Sequence, residues 1–260
     1  MLGLPDEVTV CLFDLDGVLT STARVHAAAW KEMFDDFLRA WSARAGQPFV
    51  PFDVVADYGP YVDGKPRADG TRDFLASRGI RLPEGQADDP PDAETVPGLG
   101  NRKNRIVLRL IRDGGVEAYA GSVEYLRRAR EAGLARVVVS SSTNCREVLV
   151  AAGLIDMVDG IVDGLVAEER HLRGKPAPDT FLAGAGLVGA DRSEAAVFED
   201  ALAGVAAGRA GGFRIVVGVD RVGHAEALLA RGADVVVGDL RELLQPRNGG
   251  ATGDAGEATP

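Results

Sequence analysis

Apolar residues fall into two rhythms along this chain. Short runs at 8–13, 136–140, 195–199, 213–219 and 234–237, with a weaker one at 160–162, are rich in Val, Ile, Leu and Phe and too short for helices. Such runs read as strands buried on both faces. Between them, apolar positions recur at helical spacing over 122–132, 145–152 and 201–210, and Gly133, Gly153 and Gly211 stand where C-terminal caps belong. Alternation of strand and helix predicts a parallel α/β sheet. Residues 22–116 break this rhythm: a long helix is expected over 23–44 and shorter ones over 72–77 and 104–112, with few strand patterns. The expected organisation is therefore a sheet domain built from 1–21 and 117–245, interrupted after its first strand by a helical domain at 22–116. Two chain connections would join the domains and act as hinges. The proline- and acid-rich stretch 84–94 reads as a solvated loop, and 246–260 as a disordered tail. No internal repeat is evident.

Composition narrows the function classes. With 260 residues and 46% hydrophobic content, the chain can bury a sizeable core. A formal charge of −10 argues against broad binding of nucleic acid or anionic membrane, while leaving room for a local basic pocket. Two cysteines, Cys11 and Cys145, suggest no disulfide framework, and neither an export leader nor a membrane-length apolar run is seen. The expectation is a soluble, cytoplasmic protein and a monomer.

The candidate chemistry lies where strands end. The first strand runs into Asp14-Leu15-Asp16-Gly17, which puts two carboxylates at the carboxyl edge of the sheet, where ligands of open α/β sheets bind. Neighbouring anions of this kind call for a cation, and oxygen-only ligands favour Mg²⁺. The second strand ends in Ser140-Ser141-Ser142-Thr143-Asn144 ahead of a helix. These groups suit a phosphate at a helix start, and equally suit N-capping. In Gly174-Lys175-Pro176-Ala177-Pro178-Asp179, two prolines restrain Lys175, which could neutralise a transferring phosphoryl group. The run 195–198 leads into Glu199-Asp200, which could complete a metal site or cap the next helix.

Taken together, these four motifs resemble those of the haloacid dehalogenase superfamily, in order and separation, over nearly the whole chain. That resemblance implies a Rossmann-like core with an α-helical cap. Within the superfamily the insert is similar to that of the β-phosphoglucomutases, through Val62-Asp63-Gly64-Lys65-Pro66-Arg67, Gly100-Asn101-Arg102-Lys103-Asn104 and His26, twelve residues after Asp14. The resemblance implies that Asp14 is the nucleophile, that Asp16 moves the proton with support from His26 and Thr22, and that Lys175 offsets phosphate charge. Mg²⁺ would be held by Asp14, the Asp16 backbone, Glu199 and Asp200. Ser140 and Ser141 would orient the transferring phosphate. Arg67, Ser142 and Asn144, with Gly64, Lys65 and Lys103 nearby, would hold the rest of a sugar phosphate or bisphosphate. One departure stands out: Thr143 occupies a position where the family often has lysine, a lost positive charge for which Lys65 could compensate.

The implied reaction interconverts β-D-glucose 1-phosphate and glucose 6-phosphate through the 1,6-bisphosphate. A sugar-phosphate phosphatase shares every core motif, with water attacking the aspartyl phosphate instead of a sugar hydroxyl. A catalytically silent phosphosugar-binding protein is a third class, disfavoured because Asp14, Asp16, Lys175 and Asp200 are all present.

Overall fold

The computed structural model describes residues 2–245; the tail expected at 246–260 lies outside the described residues. Six parallel strands, β1 (Val10–Phe13), β2 (Ala135–Val139), β3 (Gly160–Val162), β4 (Ala195–Glu199), β5 (Ile215–Val219) and β6 (Val235–Val237), form one sheet in the order β3-β2-β1-β4-β5-β6. The first strand is central. Its two neighbours are β2 and β4, so the chain order reverses beside β1 and opens a crevice beyond its carboxyl end.

Successive side chains alternate between faces, and both faces are covered, which explains the unbroken apolar runs. Cys11, Phe13, Val138, Ala196 and Phe198 pack toward α4 (Ala120–Glu131) and α5 (Cys145–Ala151). Val10, Leu12, Val137, Val139 and Val197 pack on the other side, with Phe181 of α7 (Asp179–Leu187), Val205 of α8 (Leu202–Gly211) and Leu228 of α9 (Ala225–Arg231). A short helix, α6 (Gly164–Glu169), follows β3. It and α9 had no clear signal of their own in the sequence, whereas α7 starts directly after Pro178, where the two prolines lead into a helix. Gly211 proves to be the last helical residue of α8, and Gly212, at φ 66°, takes the left-handed cap instead.

Between β1 and α4 lie α1 (Ala23–Ala45), α2 (Arg67–Ser77), α3 (Val96–Gly114) and a π-turn at Tyr58–Val62. They enclose a separate aromatic cluster in which Phe34 stacks on Trp30 with ring centroids 5.1 Å apart and meets Phe74 at 4.2 Å. Both short helices start earlier than their apolar spacing suggests, α2 at 67 rather than 72 and α3 at 96 rather than 104. Thr95 caps α3 by accepting from the Gly98 amide at 3.1 Å, and Pro97 suits its first turn. Gly98 and Gly70 are packing residues, not breakers: a Cβ would stand 2.4 Å from the Ala93 carbonyl oxygen at Gly98 and 3.2 Å from the Val62 Cα at Gly70. The earlier starts carry Arg67 and Lys103 onto helices. Among the described residues, no helix is long and apolar enough to cross a membrane.

Candidate active site

The floor of the site is made by strand ends. Asp14 follows β1, its amide donating to the Phe198 carbonyl at 2.9 Å, and Glu199 closes β4 with Asp200 next. Lys175 reaches between them from the loop before α7. Its Nζ donates to Asp14 Oδ1 at 2.5 Å, to Glu199 Oε1 at 2.6 Å and to the Val139 carbonyl at 3.1 Å, using all three of an ammonium's hydrogens. Burial disfavours the charged lysine, yet the Asp14 and Glu199 carboxylates outweigh it and hold the Lys175 pKa above its ordinary value. Burial is also the largest influence on the carboxylates, pushing Asp14 up to about 6 and Glu199 up to about 7 despite Lys175. Asp200 is raised by burial and by Asp63, Glu199, Asp14 and Asp16 around it.

Two glycines make this crowding possible. At Gly17, φ is 87° and a Cβ would fall 1.8 Å from Asp200 Oδ2; at Gly204 it would fall 1.7 Å from Glu199 Oε1. Oxygens of Asp14, Glu199 and Asp200 lie within 4.8 Å of one another. An all-oxygen donor set carrying several negative charges fits a hard divalent cation such as Mg²⁺.

The Asp16 carboxylate turns away from that cluster. It accepts from Thr22 Oγ1, which lies 2.7 Å from the Thr20 hydroxyl, and faces His26 Nε2 at 3.5 Å. Burial raises its pKa, with Thr22 and Lys103 opposing. Behind His26, Nδ1 lies 2.8 Å from Lys103 Nζ. While Lys103 is an ammonium it can only donate, and Nδ1 is then the acceptor with the ring hydrogen on Nε2. Burial, reinforced by Lys103 and Arg67, holds the His26 pKa well below the usual range, in keeping with a neutral ring. Lys103 is itself only 3% exposed, lies 4.9 Å above the Trp30 ring, and is pushed down to about 7 by burial.

The insert forms the roof. Ser141 Oγ donates to the Gly64 carbonyl at 2.8 Å, Asn144 Nδ2 donates to Asn104 Oδ1 at 2.7 Å, and Arg67 Nη2 donates to Thr143 Oγ1 at 3.3 Å. Pro66 rests on Gly174, where a Cβ would stand 2.1 Å from the proline Cγ. Together these contacts close a cavity of about 50 Å³ over Asp14 and Asp16. Into its wall comes Arg67, whose Nη1 is buried with no hydrogen-bond partner among the described residues.

Most residues singled out in the sequence line this cavity: Asp14, Asp16, His26, Gly64, Lys65, Arg67, Lys103, Ser140, Ser141, Ser142 and Asp200. Lys65, however, spends its ammonium on Asp73 at 2.7 Å and the Pro60 carbonyl at 3.1 Å, away from Thr143. Ser140 Oγ and Ser142 Oγ accept from the amides of Ser142 and Asn144 and so shape their own loop. Asn144, at the N-cap of α5, makes no side-chain cap bond, so its amide is spent on the insert instead. Sequence reasoning quoted Asp63 and Asn104 within motifs without giving them a role and gave none to Tyr58, Trp30 and Ala201; all five also line the cavity. Asp63 had one available signal, its place beside Gly64.

A profile of the haloacid dehalogenase-like hydrolases matches residues 8–212. A β-phosphoglucomutase of Mycobacterium tuberculosis is 56% identical over 247 residues, 94% of each chain. The chain belongs to the haloacid dehalogenase-like family and to its β-phosphoglucomutase-like enzymes. A β-phosphoglucomutase of Bacillus subtilis is 30% identical over 233 residues, covering 89% of this chain and 90% of the relative. Among solved structures, a β-phosphoglucomutase from Clostridium difficile superposes with a TM-score of 0.71 at 24% identity, over 91% of this chain and 93% of that one, and so shares the fold.

Proposed function

We propose that this protein interconverts β-D-glucose 1-phosphate and glucose 6-phosphate by phosphoryl transfer through an aspartyl phosphate at Asp14. Residues 22–116 act as the cap and residues 1–21 with 117–245 as the core. One observation carries the reading beyond phosphoryl transfer in general. The cavity that holds Asp14 also holds Arg67, a guanidinium with a buried, unspent N–H donor, so the site has a grip for a second phosphate.

In the first half-reaction, Asp14 attacks phosphorus and the sugar oxygen leaves, with the nucleophile opposite the leaving group. Asp16 supplies the proton to that oxygen and later removes one from the incoming hydroxyl. Its buried position raises its pKa toward that task, while the Thr22 hydroxyl orients it and His26 Nε2 stands 3.5 Å away. Lys175, saturated by its three acceptors, is a fixed positive charge beside the reacting carboxylate. Asp14, Glu199, Asp200 and the Asp16 backbone carbonyl would hold Mg²⁺, which when bound offsets the charge of the transferring phosphate. The 1,6-bisphosphate must then present its other phosphate to Asp14. Arg67 would hold whichever phosphate is remote, and the Ser141 and Asn144 contacts would keep the cap shut against water.

A phosphatase would run the same first step and let water complete the second. Product analysis separates the two. With β-glucose 1-phosphate, Mg²⁺ and a trace of the 1,6-bisphosphate, glucose 6-phosphate should accumulate with little free phosphate. Free phosphate as the main product would overturn the mutase assignment. A sugar phosphate as substrate, with buried free thiols at Cys11 and Cys145, also supports a cytoplasmic setting.

A further inference from the structure

The geometry points to Arg221 as a positioning residue that fixes the turn carrying Asp16, and with it the place from which Asp16 delivers its proton. This deepens the phosphoryl-transfer reading above and rests on it.

None of the four sequence motifs reaches past Asp200, yet Arg221, on the loop after β5, is largely buried against the first of them. Its loop is stiff. Asp220 accepts from the amides of Val222, Gly223, His224 and Ala225 at 2.7–3.1 Å. From that base the Arg221 guanidinium joins three segments. Nε donates to the Gly17 carbonyl at 3.1 Å, Nη1 to the Gly238 carbonyl at 2.8 Å and to Asp239 Oδ2 at 3.2 Å, and Nη2 lies 3.5 Å from the Val18 carbonyl. Its flat face covers the Tyr119 ring, 3.8 Å from the centroid. A planar fork suits this task, because one rigid group sets several acceptors at once.

Gly17 and Val18 belong to the tight turn after Asp16, in which the Gly17 amide donates to the Thr20 carbonyl at 2.8 Å. Tyr119 ends the second connection to the insert. That connection is paired with the first, the Ser21 amide donating to the Glu117 carbonyl at 2.9 Å and the Tyr119 amide to the Leu19 carbonyl at 3.0 Å. Asp16 is thus held from two directions, its carboxylate by Thr22 at the entrance to the insert and its following peptide by Arg221 on the core. An acid must meet the departing oxygen within hydrogen-bond reach, and a displacement of about 1 Å costs about 100-fold in rate. Arg221 supplies the core side of that restraint.

Two phosphoryl donors separate positioning of the acid from support of the fold. When Asp14 takes a phosphoryl group from a sugar, the P–O bond breaks and the sugar oxygen takes its proton from Asp16. When it takes one from acetyl phosphate, acetate leaves as a stable anion and takes none. Turnover of β-glucose 1-phosphate, primed with the 1,6-bisphosphate, and phosphorylation of Asp14 by acetyl phosphate are measured with Mg²⁺ for the wild type, Arg221→Met and Arg221→Lys. In Arg221→Met, kcat for the sugar phosphate should fall roughly 10- to 100-fold with KM held within about threefold, and the acetyl phosphate reaction should stay within about threefold. Arg221→Lys, which keeps the charge and part of the donor set, should recover some of the loss. Tyr119→Leu leaves every donor in place and should lose less than Arg221→Met, with the same dependence on the donor. Equal losses with both donors would assign Arg221 to the fold and overturn the proposal, as would unchanged sugar-phosphate turnover in Arg221→Met. A wild type that acetyl phosphate phosphorylates but that consumes no sugar phosphate would instead strike down the phosphosugar reading, and the proposal with it. Thermal melts report folding, and Arg221→Lys with Tyr119→Leu carries the test if Arg221→Met does not fold.

Discussion

Two buried lysines, Lys175 in the core and Lys103 in the insert, sit in the same cleft in opposite circumstances. Lys175 has every hydrogen spent, two of them on carboxylates, and those anions raise its pKa against the cost of burial. Lys103 is equally enclosed, but its neighbours are a histidine nitrogen and an indole ring, and its pKa falls to about 7. Lys175 is thus fully satisfied before any ligand arrives. The insert's cations are not: among the described residues, Arg67 Nη1 has no hydrogen-bond partner and Lys103 no carboxylate bonded to it. On the proposed function, the core would set the charge that reacts and the insert would keep groups in reserve for the ligand.

Replacing each lysine by methionine should separate these roles. Lys175→Met leaves Asp14 and Glu199 facing each other unneutralised, and breaking a buried pair in this way costs about 3–5 kcal/mol. Urea melts at pH 7.5 should show that loss, together with collapse of turnover. Lys103→Met should leave stability unchanged or higher at pH 7. Its native pKa lies below the unfolded value, so the unfolded state binds the extra proton between about pH 7 and 10.5 and the full penalty is present at pH 7. Equal losses in the two variants would erase the contrast.

Arg67→Ala tests the reserve itself. A charge-assisted bond to phosphate is worth about 1.5–3 kcal/mol, so mutase flux should drop roughly 10- to 100-fold. Phosphorylation of Asp14 by a small donor such as acetyl phosphate should change little, because that donor has no remote phosphate. Parallel losses in both reactions would place Arg67 at the transferring phosphate.

The acid cluster supplies a smaller, pH-dependent effect. Asp14 rises to about 6, and Asp63 and Glu199 to about 7, mainly through burial. Their native pKa values exceed the unfolded ones, so the native state binds more protons between about pH 4 and pH 7 and their contribution to stability falls as pH rises through that window. Metal-free protein should therefore lose more of its Tm between pH 5 and pH 7.5 than Asp63→Asn does. Mg²⁺ should raise the wild-type Tm more at pH 7.5 than at pH 5, which calorimetry with and without chelator would show. The smallest effect belongs to Lys65→Ala. Lys65 is bound to Asp73, an exposed partner, so KM for glucose 1-phosphate should move less than about twofold.

The same division decides what could be read from the chain alone. Core positions carry short signals because one strand end holds several functional groups in succession: Asp14 to Asp16, Ser140 to Asn144, and Glu199 with Asp200 are each contiguous. A buried strand that stops at charged residues announces itself. The parallel sheet was legible for the same reason, as unbroken apolar runs. In the insert, function is spread over the π-turn, the loop before α2 and the middle of α3, and contact with the core decides which face of each matters. Lys103 gains its buried place only because α3 begins at Val96 and turns it inward. Asp63 had no role assigned in its motif, and it lines the cavity with Asp14 beside the Gly64 that Ser141 clamps. Gly98 and Gly70 carried helix-breaking signals that tertiary packing overrode.

The claim on which the rest depends is that Asp14 carries the phosphoryl group. Incubating the protein with Mg²⁺ and the 1,6-bisphosphate, quenching with borohydride and sequencing by mass spectrometry reads the position directly, because reduction of an aspartyl phosphate converts that residue to homoserine. The account predicts homoserine at position 14 and nowhere else, with none formed in Asp14→Asn. Homoserine at another aspartate, or none at all while glucose 6-phosphate is still being produced, would contradict it.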